Sequence, residues 1–452
     1  MLRIPEEWLD NRRVCGCGRE HFAPIRTVAI SARAEESAER LVAFIGERGY
    51  ASALVVDDAN TAAVLGDAVT ARLQRELSGA PRLTFPAHGL LPDRAAVERA
   101  GDLIGRVRPA VLVAVGSGVV NDIARYASFL AELPYISVAT APSMDGYASS
   151  IAALQFEGVK VTKPAHAPEA IFAALDVLAA APWPLIQSGF GDLAGKATSL
   201  LDWKLASRLY GEHWCGTCHD MVREPLAHAV GRARDLRARD PEALRGLFIG
   251  LINSGVAMAL IGHSRPASGS EHHCSHYWDY LAYAGEREHA PHGLQVGYAA
   301  HFTMALYRQL PALGTLRTPA IPELDGRWEA DVRRRWGDGA DDIVREQRAK
   351  RAWLLERRDR TAWDAAALTG LQNALRADLA WLPAAGRALE EIGIPGTFGY
   401  LGVTEPMLRR TFAHANEIRA RYTVFDFYEG QGVRAQMAER ALDEAASKTR
   451  RR

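Results

Sequence analysis

The chain has 452 residues, enough for two or three domains with substantial cores. Hydrophobic residues make up 48%, which fits a soluble globular protein and argues against long disorder. Lys+Arg equals Asp+Glu at 54 each, so charge gives no case for nucleic acid or membrane binding.

The N-terminus, "MLRIPEEWLDNRR", lacks an apolar core and carries early acids, so it does not read as a secretory signal. No apolar run reaches the roughly 18–20 residues of a membrane span. Five cysteines are too few for a disulfide scaffold of this length. A cytoplasmic protein with reduced thiols is expected. "CGCGREH" offers Cys15, Cys17 and His21, which are either three zinc ligands at unusual spacing or a turn with free thiols.

From residue 24 to about 160, short β-branched runs alternate with helical stretches. "RTVAIS" (26–31), "SALVVDD" (52–58), "RLTFPA" (82–87), "AVLVAVGSG" (110–118) and "YISVATAP" (135–142) read as strands. They are continuous apolar runs, as expected of strands buried on both faces of a mostly parallel sheet. "ESAERLVAFIGERG" and residues 61–77 read as intervening helices. The prediction is a doubly wound α/β domain.

"VLVAVGSGVVNDIARYASF" runs strand, glycine turn, helix. Gly116 and Gly118 permit a tight turn and close backbone approach, and the helix N-terminus favours phosphate. Asn121 stands where a Rossmann fingerprint would have its third glycine, so a plain strand-to-helix turn stays open as an alternative. Asp57 and Asp58 end the second strand, where a carboxylate can take a ribose diol or cap a helix. Thr140, Ser143 and Ser149 are small hydroxyls at the carboxyl end of the next strand, with Asp145 among them as a cap or turn residue.

After about residue 180 the pattern turns helical, with stretches over 185–210, 221–236, 241–263, 271–284 and 293–310. Others follow near 326–337, 341–358, 362–392, 404–424 and 430–447, and the tail "SKTRRR" is expected to fray. "CGTCH" (215–219) matches a c-type haem attachment pattern, read here as chance for want of an export signal.

"SGSEHHCSHYWD" (268–279) crowds three histidines. His272 and His276, four apart, share one helix face, and His273 points elsewhere. "GFGDLAGKATSLLDWKLA" puts Asp192 early in a helix with Lys196 one turn on, and "HGLQVGYAAHF" starts a helix with His292. Asp192, His272 and His292 make a two-His, one-carboxylate set that leaves positions open for catalysis. With 14 histidines available, His213, His289 or His301 could also be proposed, and any one of them could be a surface or capping residue.

Taken together, "VDDANT", "HGLLPD", "VGSGVVNDIARY", "VATAPSMDGYASSIAAL", the Asp192 segment, "RPASGSEHHCSHYWD", "HGLQVGYA" and "RARYTVFDF" resemble the sn-glycerol-1-phosphate dehydrogenases, in particular their bacterial branch. That family belongs with iron-containing alcohol dehydrogenase, glycerol dehydrogenase and dehydroquinate synthase. The resemblance spans nearly the whole chain. It implies a dehydroquinate synthase-like fold: an NAD(P)-binding α/β domain over 1–180 and an all-α metal- and substrate-binding domain over 181–452. Substrate, metal and nicotinamide would meet in a cleft.

The resemblance further implies that Asp192, His272 and His292 hold one divalent cation, zinc or nickel. Asp145, Asp192 and His276 would contact substrate. Asp58, Gly116, Ser117, Gly118, Asn121, Asp122, Thr140, Ser143 and Ser149 would line NAD(H) or NADP(H). The implied reaction reduces dihydroxyacetone phosphate, a phosphorylated triose, to sn-glycerol 1-phosphate in a homodimer. His276 is the expected proton donor, and Lys196 either places the substrate phosphate or pairs with Asp192. Asn121 departs from the usual family residue, and the cysteines of 215–219 are not family features. The rival readings are a dehydrogenase of an unphosphorylated polyol and a sugar-phosphate cyclase, a lyase that uses a glutamate where Asp192 stands.

Overall fold

The computed structural model describes residues 2–156 and 159–451. They divide into two compact units. One comprises residues through Leu193 together with Thr217–Ser264, the other Ala194–Gly216 with residues from Arg265 onward.

The first unit opens with a short antiparallel pair, β1 (Arg13–Val14) and β2 (Glu20–His21). Its sheet follows: β3 (Thr27–Ser31), β4 (Ala53–Asp58), β5 (Arg82–Phe85), β6 (Val111–Gly116) and β7 (Tyr135–Ala139). A hairpin, β8 (Ile151–Phe156) and β9 (Val159–Pro164), precedes the last sheet strand, β10 (Ala170–Ala174). The six sheet strands lie in the order β3-β10-β7-β6-β4-β5, and every pair is parallel.

Both faces of the sheet are covered, as the continuous apolar runs predict. Val111, Val113 and Val115 pack on one side with the helix Ala34–Glu47, through Leu41 and Ile45. Leu112 and Ala114 pack on the other with the helices Arg94–Val107 and Gly118–Leu130. The chain winds one way from β4 to the β5 edge, then returns past β4 to β6 and β7. The carboxyl ends of β4 and β6 therefore flank the point where the winding reverses, where open α/β sheets bind ligands.

Five sheet strands fall where the sequence places them. The sixth, β10, and the β8–β9 hairpin were not anticipated. Helices over 217–264 belong to the same compact unit as the α/β strands. The helix Pro241–Ile261 is the clearest case. Gly250 lies against Leu193 and Pro225, and Gly255 against Ala148 and the Asp145 carbonyl, at distances where any Cβ would collide. This helix is long and apolar enough to cross a membrane by length and composition, which corrects the reading that no segment is, and it lies mostly buried. Glu242, Arg245 and Asn253 interrupt its apolar run in the sequence.

The second unit is helical. The helix Trp183–Tyr210 supplies its residues from Ala194, followed by Ser270–Tyr283 and His292–Gln309, which pack together. Trp278 is fully buried, packs tilted against the Tyr298 ring, and donates its indole N–H to Thr411 Oγ1 at 2.9 Å. Asp202 is buried beneath them and ties three segments together. It accepts from Tyr307 Oη (2.5 Å), the Ser270 amide (2.6 Å) and the Val424 amide (2.7 Å). Burial pushes its carboxyl up to about 6 against those donors. The expected 362–392 stretch is two helices, Ala365–Leu379 and Leu382–Ile392, the second with Pro383 in its first turn. The tail does not fray as expected: the helix Arg434–Arg450 runs through it, and Arg452 lies outside the described residues.

Candidate active site

Within the first unit, β6 ends at Gly116 and a helix begins at Gly118, with Ser117 at its cap making no side-chain capping bond. The first-turn amides are thus not satisfied by their own cap, the arrangement that receives phosphate. The two glycines differ in kind. A Cβ on Gly116 would fall 2.6 Å from Val120 Cβ, so that glycine serves packing. A Cβ on Gly118 would meet nothing within 4 Å, so the backbone there borders open space.

Asp57 and Asp58 separate in role. Asp57 is buried and accepts from Arg82 Nε at 2.8 Å, while burial pushes its carboxyl up. Asp58 caps the turn Ala59–Thr61, its Oδ1 accepting from the Asn60 and Thr61 amides at 2.8 and 2.9 Å. The capping alternative therefore holds for Asp58, with both bonds on a single oxygen.

Asn121 is buried. Its Oδ1 accepts from Ser137 Oγ at 2.9 Å, linking the helix to β7, and its Nδ2 has no hydrogen-bond partner among the described residues. Asp122 bonds to Arg125, whose buried guanidinium also donates to Tyr135 Oη (2.7 Å) and the carbonyls of Ile151 (2.8 Å), Gly146 and Tyr147. One arginine thus fixes the loop that carries Thr140, Ser143, Asp145 and Ser149. The Thr140 amide donates to the Gly116 carbonyl at 3.3 Å, which ties that loop to the glycine turn. Ser149 Oγ accepts from the Ile151 amide at 3.1 Å.

The same loop meets the start of the helix Trp183–Tyr210. Ser188 Oγ donates to the Ser143 carbonyl at 3.0 Å, and the Asp145 amide donates to Asp192 Oδ2 at 3.0 Å. Asp145 Oδ2 accepts from Ser254 Oγ, also at 3.0 Å. Asp192 is fully buried, and its carboxylate is aimed by a backbone N–H. Gly189 makes this approach possible, since a Cβ there would lie 1.6 Å from the Pro142 oxygen.

Within the second unit, the expected histidines converge. The rings of His272 and His292 have centroids 5.1 Å apart, His276 and His292 5.7 Å, and His272 and His276 6.1 Å. His273 points away, buried, as one-residue offset on a helix requires. His272 Nδ1 is 2.7 Å from Glu271 Oε1. Donation to that carboxylate leaves Nε2 with the lone pair. Glu271 is itself held by Thr198 Oγ1 (2.6 Å) and the Gly269 amide (2.8 Å). Burial, then the Asp202 charge, push Glu271 up to about 7. Burial, then the charge of Lys196, hold His272 well below the usual imidazole range, so it is neutral and able to ligate. Lys196 is fully buried.

His276 Nδ1 lies 3.6 Å from Asp279 Oδ2, and Asp279 Oδ1 accepts from Gln295 Nε2 at 2.7 Å. His276, Asp279 and His292 each bring a ligand atom within 4.8 Å of the others. His292 Nδ1 is 3.3 Å from Ser275 Oγ. His301, an alternative candidate, is instead buried against the Ile394 carbonyl at 2.9 Å. Sequence reading missed Glu271, Asp279 and Ser254. Asp279 is three residues after His276 and could have been found by helical spacing. Glu271 could not, since adjacent helical residues do not ordinarily face each other.

Residues 33–182 match the family profile of iron-containing alcohol dehydrogenases. The chain is 33% identical over 417 residues to a glycerol-1-phosphate dehydrogenase [NAD(P)+] of Bacillus subtilis (strain 168), covering 92% of this chain and 94% of that protein. It is 34% identical over 363 residues to one from Bacillus licheniformis, covering 76% of this chain and 90% of that one. Among solved structures, maleylacetate reductase from Agrobacterium tumefaciens superimposes with a TM-score of 0.61 at 16% identity, covering 94% of this chain and 97% of that one, a likeness of fold alone.

Proposed function

Because the chain belongs to the glycerol-1-phosphate dehydrogenase family, within the iron-containing alcohol dehydrogenases, we propose that the residues above form its working site. The reaction is the reversible, NAD(P)-dependent reduction of dihydroxyacetone phosphate at C2 to sn-glycerol 1-phosphate. The observation that carries the site is the cluster of His272, His276 and His292.

Asp192, His272 and His292 would hold one divalent cation, zinc or nickel. The donor set fits: one buried carboxylate and two imidazoles, with His272 neutral and its Nε2 left as the ligand atom. Bound there, the cation would supply Lewis-acid polarisation of the C2 carbonyl. Glu271 fixes the His272 ring and tautomer. Asp145 contacts substrate hydroxyls and orients Asp192 through its amide. His276 delivers the proton to the C2 oxygen, its Nδ1 side steadied by Asp279. Lys196, a buried cation, places the substrate phosphate.

The cofactor would lie over the ends of β4 and β6. Its pyrophosphate would meet Gly116, Ser117 and Gly118, and its ribose diol Asp58. Thr140, Ser143 and Ser149, with Asn121 and Asp122 beneath, would border the nicotinamide half. The resemblance also implies a homodimer and a cytoplasmic location, where NAD(P)H is available. Light scattering on the purified protein checks the first.

The test is nicotinamide oxidation with dihydroxyacetone phosphate after reconstitution with zinc or nickel, for NADH and NADPH. Metal-dependent turnover to the sn-1 isomer is expected, and His272→Ala should lose one metal equivalent together with its activity. Full metal stoichiometry in His272→Ala would overturn the ligand set. Turnover of glycerol in place of the triose phosphate would overturn the substrate.

A further inference from the structure

The segment ahead of the sheet carries a feature that the dehydrogenase reaction does not use. β1 and β2 pair through only two residue couples, Arg13 with His21 and Val14 with Glu20. A two-stranded ribbon this short cannot hold itself together. Its turn is nonetheless tightly made. The Cys15 amide donates to the Arg19 carbonyl and the Gly18 amide to the Cys15 carbonyl, both at 2.9 Å. Gly18 has φ +83°, a conformation that only glycine adopts at little cost.

This turn brings Cys15, Cys17 and His21 together, with one ligand atom of each within 4.8 Å of the others. Cys17 Sγ is 3.3 Å from His21 Nε2. Cys15 and His21 are buried, and the Trp8 ring meets the imidazole edge-on. Cys15 Sγ also lies 3.3 Å from Thr217 Oγ1. Thr217 sits at the start of the helix Gly216–Gly231, two residues after Cys215, which is itself fully buried. None of these cysteines forms a disulfide.

We propose that Cys15, Cys17, His21 and Cys215 bind one zinc-class divalent cation as a closed structural site. Three thiolates and an imidazole are the soft and borderline donors that select zinc. Zn–S bonds of about 2.3 Å and Zn–N bonds of about 2.0–2.1 Å in a tetrahedron put neighbouring donors roughly 3.5–3.8 Å apart. The 3.3 Å sulfur–nitrogen separation is a few tenths short of that, well within the adjustment two side chains can make. Four protein ligands leave no open position, so this cation anchors and does not catalyse. It clamps a ribbon too small to persist alone beside Thr217. Cys-x-Cys is shorter than ordinary zinc spacings, and the intervening Gly16 has space around it, so the turn can close over the metal.

Cobalt substitution of the metal-free, full-length protein tests this. Thiolate ligands give cobalt an intense near-ultraviolet charge-transfer band that carboxylate and imidazole donors do not. One cobalt equivalent carrying that band is expected in the wild type and in His272→Ala and Cys218→Ser. The band should vanish in Cys17→Ser and Cys215→Ser. A wild type without the band at saturating cobalt overturns the site, whether or not the variants fold. A band that survives Cys215→Ser and is lost in Cys218→Ser overturns this ligand set.

Discussion

Gly189→Ala separates packing from chemistry at the approach of Asp192. In a helix interior alanine is better than glycine by about 1 kcal/mol, so propensity alone predicts stabilisation. The contact reverses the sign. The new Cβ would lie 1.6 Å from the Pro142 oxygen, far inside the 3.4 Å at which ordinary contact begins, so helix and loop must part by nearly 2 Å. The obstacle is a backbone carbonyl, which cannot rotate away as a side chain could. Overpacking of this kind costs about 1–3 kcal/mol, and a backbone obstacle belongs at the upper end, leaving a net loss of about 2 kcal/mol. That displacement exceeds the tolerance of the Ser188–Ser143 and Asp145–Asp192 hydrogen bonds, both 3.0 Å. Misplacing a site by about 1 Å can cost on the order of 10²-fold, so kcat/KM should fall by at least that factor. Steady-state kinetics beside a thermal melt read both effects. Gly118→Ala is the control: its Cβ meets nothing, so the melt should hold while the KM for NAD(P)H rises. Wild-type kcat/KM and an unshifted melt in Gly189→Ala would refute the reasoning.

Glu271→Gln keeps the shape and an acceptor oxygen but removes the negative charge that the His272 Nδ1–H meets. Metal affinity by chelator competition should weaken about 10- to 100-fold with the circular dichroism unchanged, and unaltered affinity would show that the Glu271 contact is idle. Asp58→Ser retains a cap but removes the charge, so NADPH should gain on NADH in kcat/KM, and a constant ratio would remove Asp58 from the ribose. His301 is lowered from 6.5 to about 4 by burial. A base depressed in the folded state contributes its stability above pH 6.5 and loses it as pH falls toward 4, a span of about 3 kcal/mol. His301→Gln should therefore lose less stability than wild type between those pH values. Parallel pH–melt curves for the two proteins would count against the burial argument.

The sheet was legible where strands are β-branched and continuous, as in Val111–Val115. β10 was not, because "AIFAA" is alanine-rich and favours helix locally. Pairing on both sides, with β3 and β7, overrides that preference. The histidine face was legible because helical spacing fixes which residues meet. Residues that act through tertiary approach, such as Ser254 on Asp145, leave no periodic trace. Asp57 and Asp58 looked equivalent in sequence, and the structure separates them, Asp57 by its pairing with Arg82 on β5 and Asp58 by its cap over Asn60 and Thr61.

The strand order also sets a schedule for synthesis. β3 is the first sheet strand to leave the ribosome, yet its single sheet neighbour is β10, the last to be made. Until Ala170–Ala174 emerges, Thr27–Ser31 has no ladder to join. Closing the α/β unit waits longer still, for Pro241–Ile261, whose glycines must seat against Leu193 and Ala148. Contacts this distant in sequence make for slow folding and leave apolar strands waiting. A nascent chain halted between residues 174 and 241 would hold a paired sheet with the seat for that helix still bare. That interval is where dependence on a chaperone should concentrate.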